Sequence, residues 1–188
     1  MQFQFNDHSK LGGSHAAFSP SQPHWLRYDD EKVANSYANK RAAEMGTILH
    51  AWAQQTIDLG IKQPRSNKTL YAYVNDAIGY RMSTEVVLYY SPRIYGTADA
   101  ISFRNNILRI SDLKTGTTPA KIEQLYIYAA LFCLEYRIDP KSIKIELRLY
   151  QNDKVQEEFP TADEIIPIME HIMHVDKIAE EIDAGGIV

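Results

Sequence analysis

Leu108-Arg109-Ile110-Ser111-Asp112-Leu113-Lys114-Thr115-Gly116 is the stretch on which the reading of this chain turns. Alternate residues of a strand share a face, so Leu108, Ile110, Asp112 and Lys114 point the same way. The first two belong in a core. The same face then becomes a carboxylate and an ammonium at the strand's C-terminal end. Burying charge is costly unless it is paired or binds a metal, and an internal Asp112–Lys114 ion pair would meet that cost by itself. The preceding stretch adds a second carboxylate. Gly96-Thr97-Ala98-Asp99 is followed by the turn signal Asn105-Asn106. Strands over 93–103 and 107–113 are therefore expected to pair as an antiparallel hairpin and bring Asp99 towards Asp112. Two carboxylates and a lysine at one sheet end conflict, because like charges raise each other's pKa. A divalent cation resolves the conflict, and carboxylate oxygens suit Mg²⁺ or Mn²⁺.

Outward from this stretch the periodicities alternate. Towards the N-terminus, Glu85–Tyr90 is a β-rich run ended by Ser91-Pro92, and residues 70–80 suit a helix. Lys62–Lys68 is a basic loop. Val33, Tyr37, Ala38, Met45, Ile48, Leu49, Trp52 and Ile57 mark a helical stripe over 31–58, with Gly60 as its stop. Ser19-Pro20-Ser21 offers the start of a short helix through Trp25 and Leu26, and residues 1–18 look irregular. Towards the C-terminus, Thr115–Pro119 is a loop that leads into a helix over 120–136, capped by Thr117 or Thr118, with Lys121 in its first turn. Ile143, Ile145, Leu147 and Leu149 alternate with polar residues, as in a strand with one buried face. Residues 155–159 suit a short edge strand and 162–182 a closing amphipathic helix. This order gives an α/β protein, a central mixed sheet flanked by helices. Without repeats, low-complexity tracts or a flexible linker, residues 1–188 are expected to form a single domain.

Composition narrows the functional classes. The chain has 188 residues, 45% apolar and 23% charged, the ordinary globular mix. The single cysteine, Cys133, excludes a disulfide framework, a four-cysteine zinc site and a four-cysteine iron–sulfur cluster on this chain, and a core-facing helix position makes it an inert thiol. No apolar run approaches the roughly 18 residues of a membrane span, and the first residues do not read as a signal peptide. A cytoplasmic protein with no membrane partner is expected. The net charge is −4, but residues 1–121 carry +4 and residues 122–188 carry −8. A polyanion would meet the first two thirds more readily.

Two helix patterns complete the set. Gly46 and His50 lie four apart on one helical face, where the glycine gives room for close approach to the sheet and the histidine can reach in. Gln124 and Tyr128 have the same spacing on the helix after Lys114, while Leu125, Ala129 and Phe132 suit the core. Each pair alone reads equally as packing. On the last helix Glu170, His171 and His174 read as a solvated face rather than as a second metal site.

In order, Gly46…His50, Gly96…Asp99, Asp112-Leu113-Lys114 and Gln124…Tyr128 resemble the motif series of the PD-(D/E)XK nuclease superfamily, its RecB-like and phage-type exonuclease branch in particular. The resemblance covers roughly residues 19–150, leaving 151–188 as an extension. It departs from the Cas4-like members in lacking the four cysteines of their iron–sulfur cluster. It implies a restriction-endonuclease-like core and a metal-dependent DNA nuclease, an exonuclease in DNA recombination, repair or phage DNA processing. It further implies His50, Asp99, Asp112 and the backbone carbonyl of Leu113 as metal ligands, with Glu85 as a further one. Asp99, Asp112 and Lys114 are the implied catalytic groups. Gln124, Tyr128, Lys121 and Arg41 are the implied substrate contacts. Arg41, Lys62, Arg65, Lys68, Arg81, Arg93 and Lys121 are candidates for a phosphate track. DNA is the implied partner, with any recombination or helicase partner on a separate chain, in the nucleoid or, if phage-encoded, in the host cytoplasm. Two further readings stand beside this one: a catalytically inactive nucleic-acid-binding or scaffold relative, and a metal-dependent enzyme acting on another phosphate ester.

Overall fold

The computed structural model describes residues 6–7, 9–11 and 16–185. They divide into two compact units, 1–45 and 46–188. Helix α1 (Asp30–Asp58) runs across the boundary. In the first unit the short helix is a 3-10 turn over Pro23–Arg27. Pro23 therefore takes the first-turn position rather than Pro20. The Ser19 carbonyl instead accepts the indole N–H of Trp25 at 2.9 Å. Phe18 packs its ring on Trp25 and Tyr37. The Asp29 carboxylate caps the start of α1, accepting the Lys32 N–H at 2.8 Å.

The second unit is α/β, as the order of elements implies. Its strands are β1 (Ser83–Ser91), β2 (Ile94–Arg104), β3 (Ile107–Lys114), β4 (Lys144–Gln151) and β5 (Lys154–Glu158). They form one sheet in chain order. The β3–β4 pair is parallel and the other neighbours are antiparallel. The parallel pair needs a crossover, and α3 (Glu123–Tyr136) supplies it. Two of the three two-residue hairpins are made by left-handed pairs, Asn105-Asn106 and Asn152-Asp153, each with φ between 51° and 57°. That is the geometry of a two-residue turn whose twist matches the strands.

Each sheet face has its own core. Leu88, Ile110 and Leu147 pack with Leu125, Ala129, Phe132 and Cys133 of α3 and with Ile165 and Ile172 of α4 (Ala162–Asp183). On the other face, Ala100, Leu113 and Tyr150 pack with Ala53 and Ile57 of α1 and with Tyr73, Val74 and Ala77 of α2 (Thr69–Gly79). The Tyr150 hydroxyl donates to Asp76 of α2 at 2.7 Å, and the Thr84 hydroxyl at the start of β1 donates to Asp58 of α1 at 2.8 Å. With both faces covered, Ser111, Asp112 and Leu113 are all buried. Among the described residues no helix is long and apolar enough to cross a membrane.

The helix after β3 starts later than its sequence suggests. It begins at Glu123, after Ile122, and without a side-chain cap. Thr117 and Thr118 lie in the preceding loop, and Lys121 precedes the helix rather than occupying its first turn. Hydrogen bonds from β4 hold that loop in place. The Gln151 amide donates to the carbonyls of Gly116 (2.7 Å) and Thr118 (2.8 Å) and accepts from the Ala120 N–H (2.9 Å).

Candidate metal centre

The centre forms where β2 parts from β3. The two strands pair from Arg104↔Ile107 to Ala100↔Ser111. Beyond that point the Asp99 carboxylate takes the place of the ladder, and its Oδ2 accepts the Leu113 N–H at 3.0 Å. Strand alternation breaks at the same residue. Ala98 packs in the core under α3 and Ala100 in the core under α2, whereas a regular strand would put both on one face. The pairs Thr84↔Ala100 and Val86↔Ala98 set Glu85 opposite Asp99. Glu85 has φ 51°, inside a strand. A left-handed conformation costs a non-glycine residue about 1–3 kcal/mol, and two carboxylates facing each other across a ladder add repulsion. The sheet is therefore strained and like-charged at this point.

His50 joins from α1. Its Nδ1 lies 3.5 Å from Asp99 Oδ2. One ligand atom each from His50, Glu85 and Asp99 fall within 4.8 Å of one another. Gly46, one turn earlier, allows the approach, since a Cβ there would lie 2.8 Å from Thr115 Oγ1. Glu85, which the sequence offered equally as a solvated strand end, is thus part of the cluster.

Asp112 stands beside this trio. Lys114 Nζ is 3.0 Å from each of its oxygens. The hydrogen bond is directed at Oδ1, and the buried Oδ2 has no hydrogen-bond partner. Burial raises the pKa of Asp112, with repulsion from Asp99 adding to it and Lys114 opposing it. Burial also raises that of Asp99, against the Leu113 N–H, His50 and Lys114, and Glu85 adds repulsion. A buried carboxylate oxygen that makes no directed hydrogen bond, with the Lys114 ammonium 3.0 Å away, stands beside a trio of oxygen and imidazole donors, and the set fits a hard divalent cation in donor type.

Lys114 also donates to Gln124 Oε1 at 3.2 Å, and the Gln124 amide donates to the Tyr128 hydroxyl at 2.9 Å. The expected shared face of Gln124 and Tyr128 exists, but their roles differ. Gln124 is exposed, whereas Tyr128 is buried and does not line an open groove. Its ring closes on Gly96, where a Cβ would lie 2.9 Å from Tyr128 Cε1. Tyr128 therefore braces β2, and Gln124 steers the lysine. Lys121 is exposed on the loop, and Arg41 is exposed on the first-unit part of α1. Arg93 is removed from the candidate phosphate track, because Asp176 and Asp183 of α4 bind it at 3.0 and 3.1 Å. Burial pushes the Cys133 thiol up to about 11, in keeping with an inert side chain.

Tyr73 is a residue of this region that no sequence pattern singles out. It is 3% exposed on α2. Burial, and then the fields of Asp99, Asp112 and Glu85, raise its hydroxyl well above the usual range. Tyr73 packs in the core between α2 and the sheet, with its ring 5.4 Å from that of Tyr150.

No family model matches this chain. No curated protein matches it either. Among solved structures it is similar to that of SSO0001, with a TM-score of 0.38 and 15% identity, over 81% of this chain and 68% of that one.

Proposed function

We propose that this chain is a Mg²⁺- or Mn²⁺-dependent nuclease that hydrolyses DNA phosphodiester bonds as an exonuclease. The observation that carries the reading is the cluster of His50, Glu85 and Asp99 ligand atoms within 4.8 Å of one another, beside the buried Asp112 carboxylate and its Lys114 neighbour at the same sheet end. The donors for the cation are His50, Asp99 and Asp112, with Glu85 and the Leu113 carbonyl completing the set. When bound, the cation supplies Lewis acidity towards a phosphoryl oxygen and lowers the pKa of water.

The protein's own groups do the rest. The Leu113 N–H fixes the Asp99 carboxylate, so its free oxygen is preorganised. The Lys114 ammonium, held between Asp112 and Gln124, is positioned to orient the attacking water and to stabilise charge that develops on the phosphoryl group. Tyr128 and Gly96 keep β2 in place behind Asp99.

The test incubates closed circular and end-labelled linear DNA with Mg²⁺, Mn²⁺ or EDTA. Metal-dependent loss of the linear substrate alone supports an exonuclease. Nicking of the circle would make it an endonuclease. An intact substrate under every condition, with Asp112→Ala indistinguishable from the parent, removes the nuclease reading.

A further inference from the structure

Strand β5 is an edge of the sheet, paired among the described residues with β4 alone. Its Lys154, Val155, Gln156 and Glu157 are all exposed, so the strand is open on both faces. The tight turn Asn152-Asp153 fixes which of its backbone groups are left over. In a two-residue hairpin the residues that close the turn, here Gln151 and Lys154, exchange both of their hydrogen bonds, and bonded and unbonded pairs then alternate. Lys154, Gln156 and Glu158 therefore bond to β4, and the N–H and C=O groups of Val155 and Glu157 point outward. Such an edge is a template for another strand. At the opposite edge of the sheet the Tyr89 N–H of β1 is already taken by Glu135, at 2.8 Å.

The sequence of the strand selects its partner. A second copy that adds antiparallel about a two-fold axis must set outward-facing residues against each other, and the possible registers differ in charge. Val155 against Val155 puts Asp153 opposite Glu157. Glu157 against Glu157 sets two carboxylates face to face. Val155 against Glu157 aligns the whole strand, with Gln156 on the axis and Lys154 opposite Glu158 on either side of it. Only this register pairs opposite charges. Its Lys154–Glu158 pairs are unbonded ones, in which side chains come closest. A lysine on an edge ordinarily keeps copies apart; here it meets a carboxylate. Glu158 stands in an acidic surround, since after burial its field, with those of Glu164 and Glu123, raises the Tyr126 hydroxyl. The Gln156 amide donates to Glu158 at 3.2 Å and holds that carboxylate over the strand. Glu157 brings no unpaired charge, because Arg148 holds it at 2.9 Å. We propose that β5 is the contact surface for a second copy of this chain, joining two sheets through antiparallel β5–β5 pairing centred on Gln156. The pairing does not depend on the nuclease reading.

The experiment measures the mass of the chain by sedimentation equilibrium over a concentration series up to about 1 mM. The parent should pass from monomer to dimer. Lys154→Glu turns both attractive cross-strand pairs into repulsive ones and should raise the dimer Kd about tenfold or more. Lys154→Glu/Glu158→Lys restores opposite charges across the axis and should return Kd to within about threefold of the parent. Added salt should narrow the gap between the parent and Lys154→Glu. Val155→Pro removes an outward N–H that only a copy would use. It should abolish the dimer and leave the melting temperature of the monomer unchanged, since proline is tolerated at such edge positions.

A parent that stays monomeric up to about 1 mM overturns the proposal. So does a dimer that Lys154→Glu leaves intact, or one that the double charge swap fails to restore. A dimer that survives Val155→Pro uses another surface and overturns it equally; where that variant does not fold, the charge swap decides. Cleavage of DNA by the parent in Mn²⁺ reads out the other proposal separately. A monomer that cleaves fails the pairing and keeps the nuclease. A dimer that responds to the charge swap but never cleaves keeps the pairing and fails the nuclease.

Discussion

Replacing Asp112 by asparagine should stabilise the metal-free protein and remove its response to metal. The side chain is 2% exposed, and its Oδ2 has no hydrogen-bond partner. Burying a carboxylate carries a desolvation cost that the partly exposed Lys114 ammonium, 3.0 Å away, offsets only in part. Asparagine keeps the shape and removes both the charge and the repulsion from Asp99. It also removes the pair with Lys114, but that side chain is 32% exposed and can return to water. A net gain of about 1 kcal/mol is expected, roughly 2–4 °C in Tm for a chain of this size. The sign with pH follows from burial, which raises both Asp99 and Asp112. The folded state then holds more protons than the unfolded one. The contribution of these two carboxylates to the stability of the metal-free parent is therefore fully present below the unfolded carboxylate value of about 3.9 and is lost as pH rises through the raised folded values. Asp112→Asn should show a shallower fall. Metal bound only by the folded state adds about 2.7 kcal/mol at a hundredfold excess over Kd, or roughly 5–10 °C. Scanning calorimetry in EDTA and in Mn²⁺, at about pH 5 and about pH 8, measures all of these. An Asp112→Asn protein with the parent's Mn²⁺ shift and the parent's pH slope would refute the reasoning, because neither metal nor carboxylate strain would then reside at Asp112.

Lys114→Met should retain the Mn²⁺-induced rise in Tm and lose about 10²-fold or more in DNA cleavage rate; cleavage at the parent rate would leave the lysine as no more than the ion-pair partner of Asp112. Gly96→Ala forces a Cβ to 2.9 Å from Tyr128 Cε1, so thermal melts should show a loss of about 1–3 kcal/mol, recovered in part when Tyr128→Leu is added; a parent-like melt would show that Tyr128 yields freely. Gln151→Leu removes three hydrogen bonds from the loop at Gly116, Thr118 and Ala120, so about 2–4 kcal/mol of stability should go, with faster amide exchange at Ala120; unchanged exchange there would mean that the loop holds itself.

Much of the fold was legible from local chemistry. The order of strands along the chain follows from period-two stretches punctuated by strong turn residues, and Asn105-Asn106 adopts the paired left-handed conformation that a two-residue hairpin demands. The change from apolar to charged along Leu108, Ile110, Asp112 and Lys114 was readable because a buried strand seldom ends that way without a partner for the charge. The start of α3 was misplaced because Thr117 and Thr118 look like caps. Only the sheet register shows that Gln151 already holds their loop.

What the sequence determined by itself was therefore the set of elements, their order and the groups able to carry chemistry, since each depends on neighbours within a few residues. Tertiary structure alone decided how those groups meet. It placed Glu85 opposite Asp99 through a left-handed residue in β1, and it buried Asp112 with the Lys114 ammonium against it. It also buried Tyr128 against Gly96, tied Arg93 to α4 and stood Tyr73 beside the carboxylates. All of these depend on register between strands and on which helix covers which face. Those are set by the packing of residues far apart in the chain, and no local pattern records them.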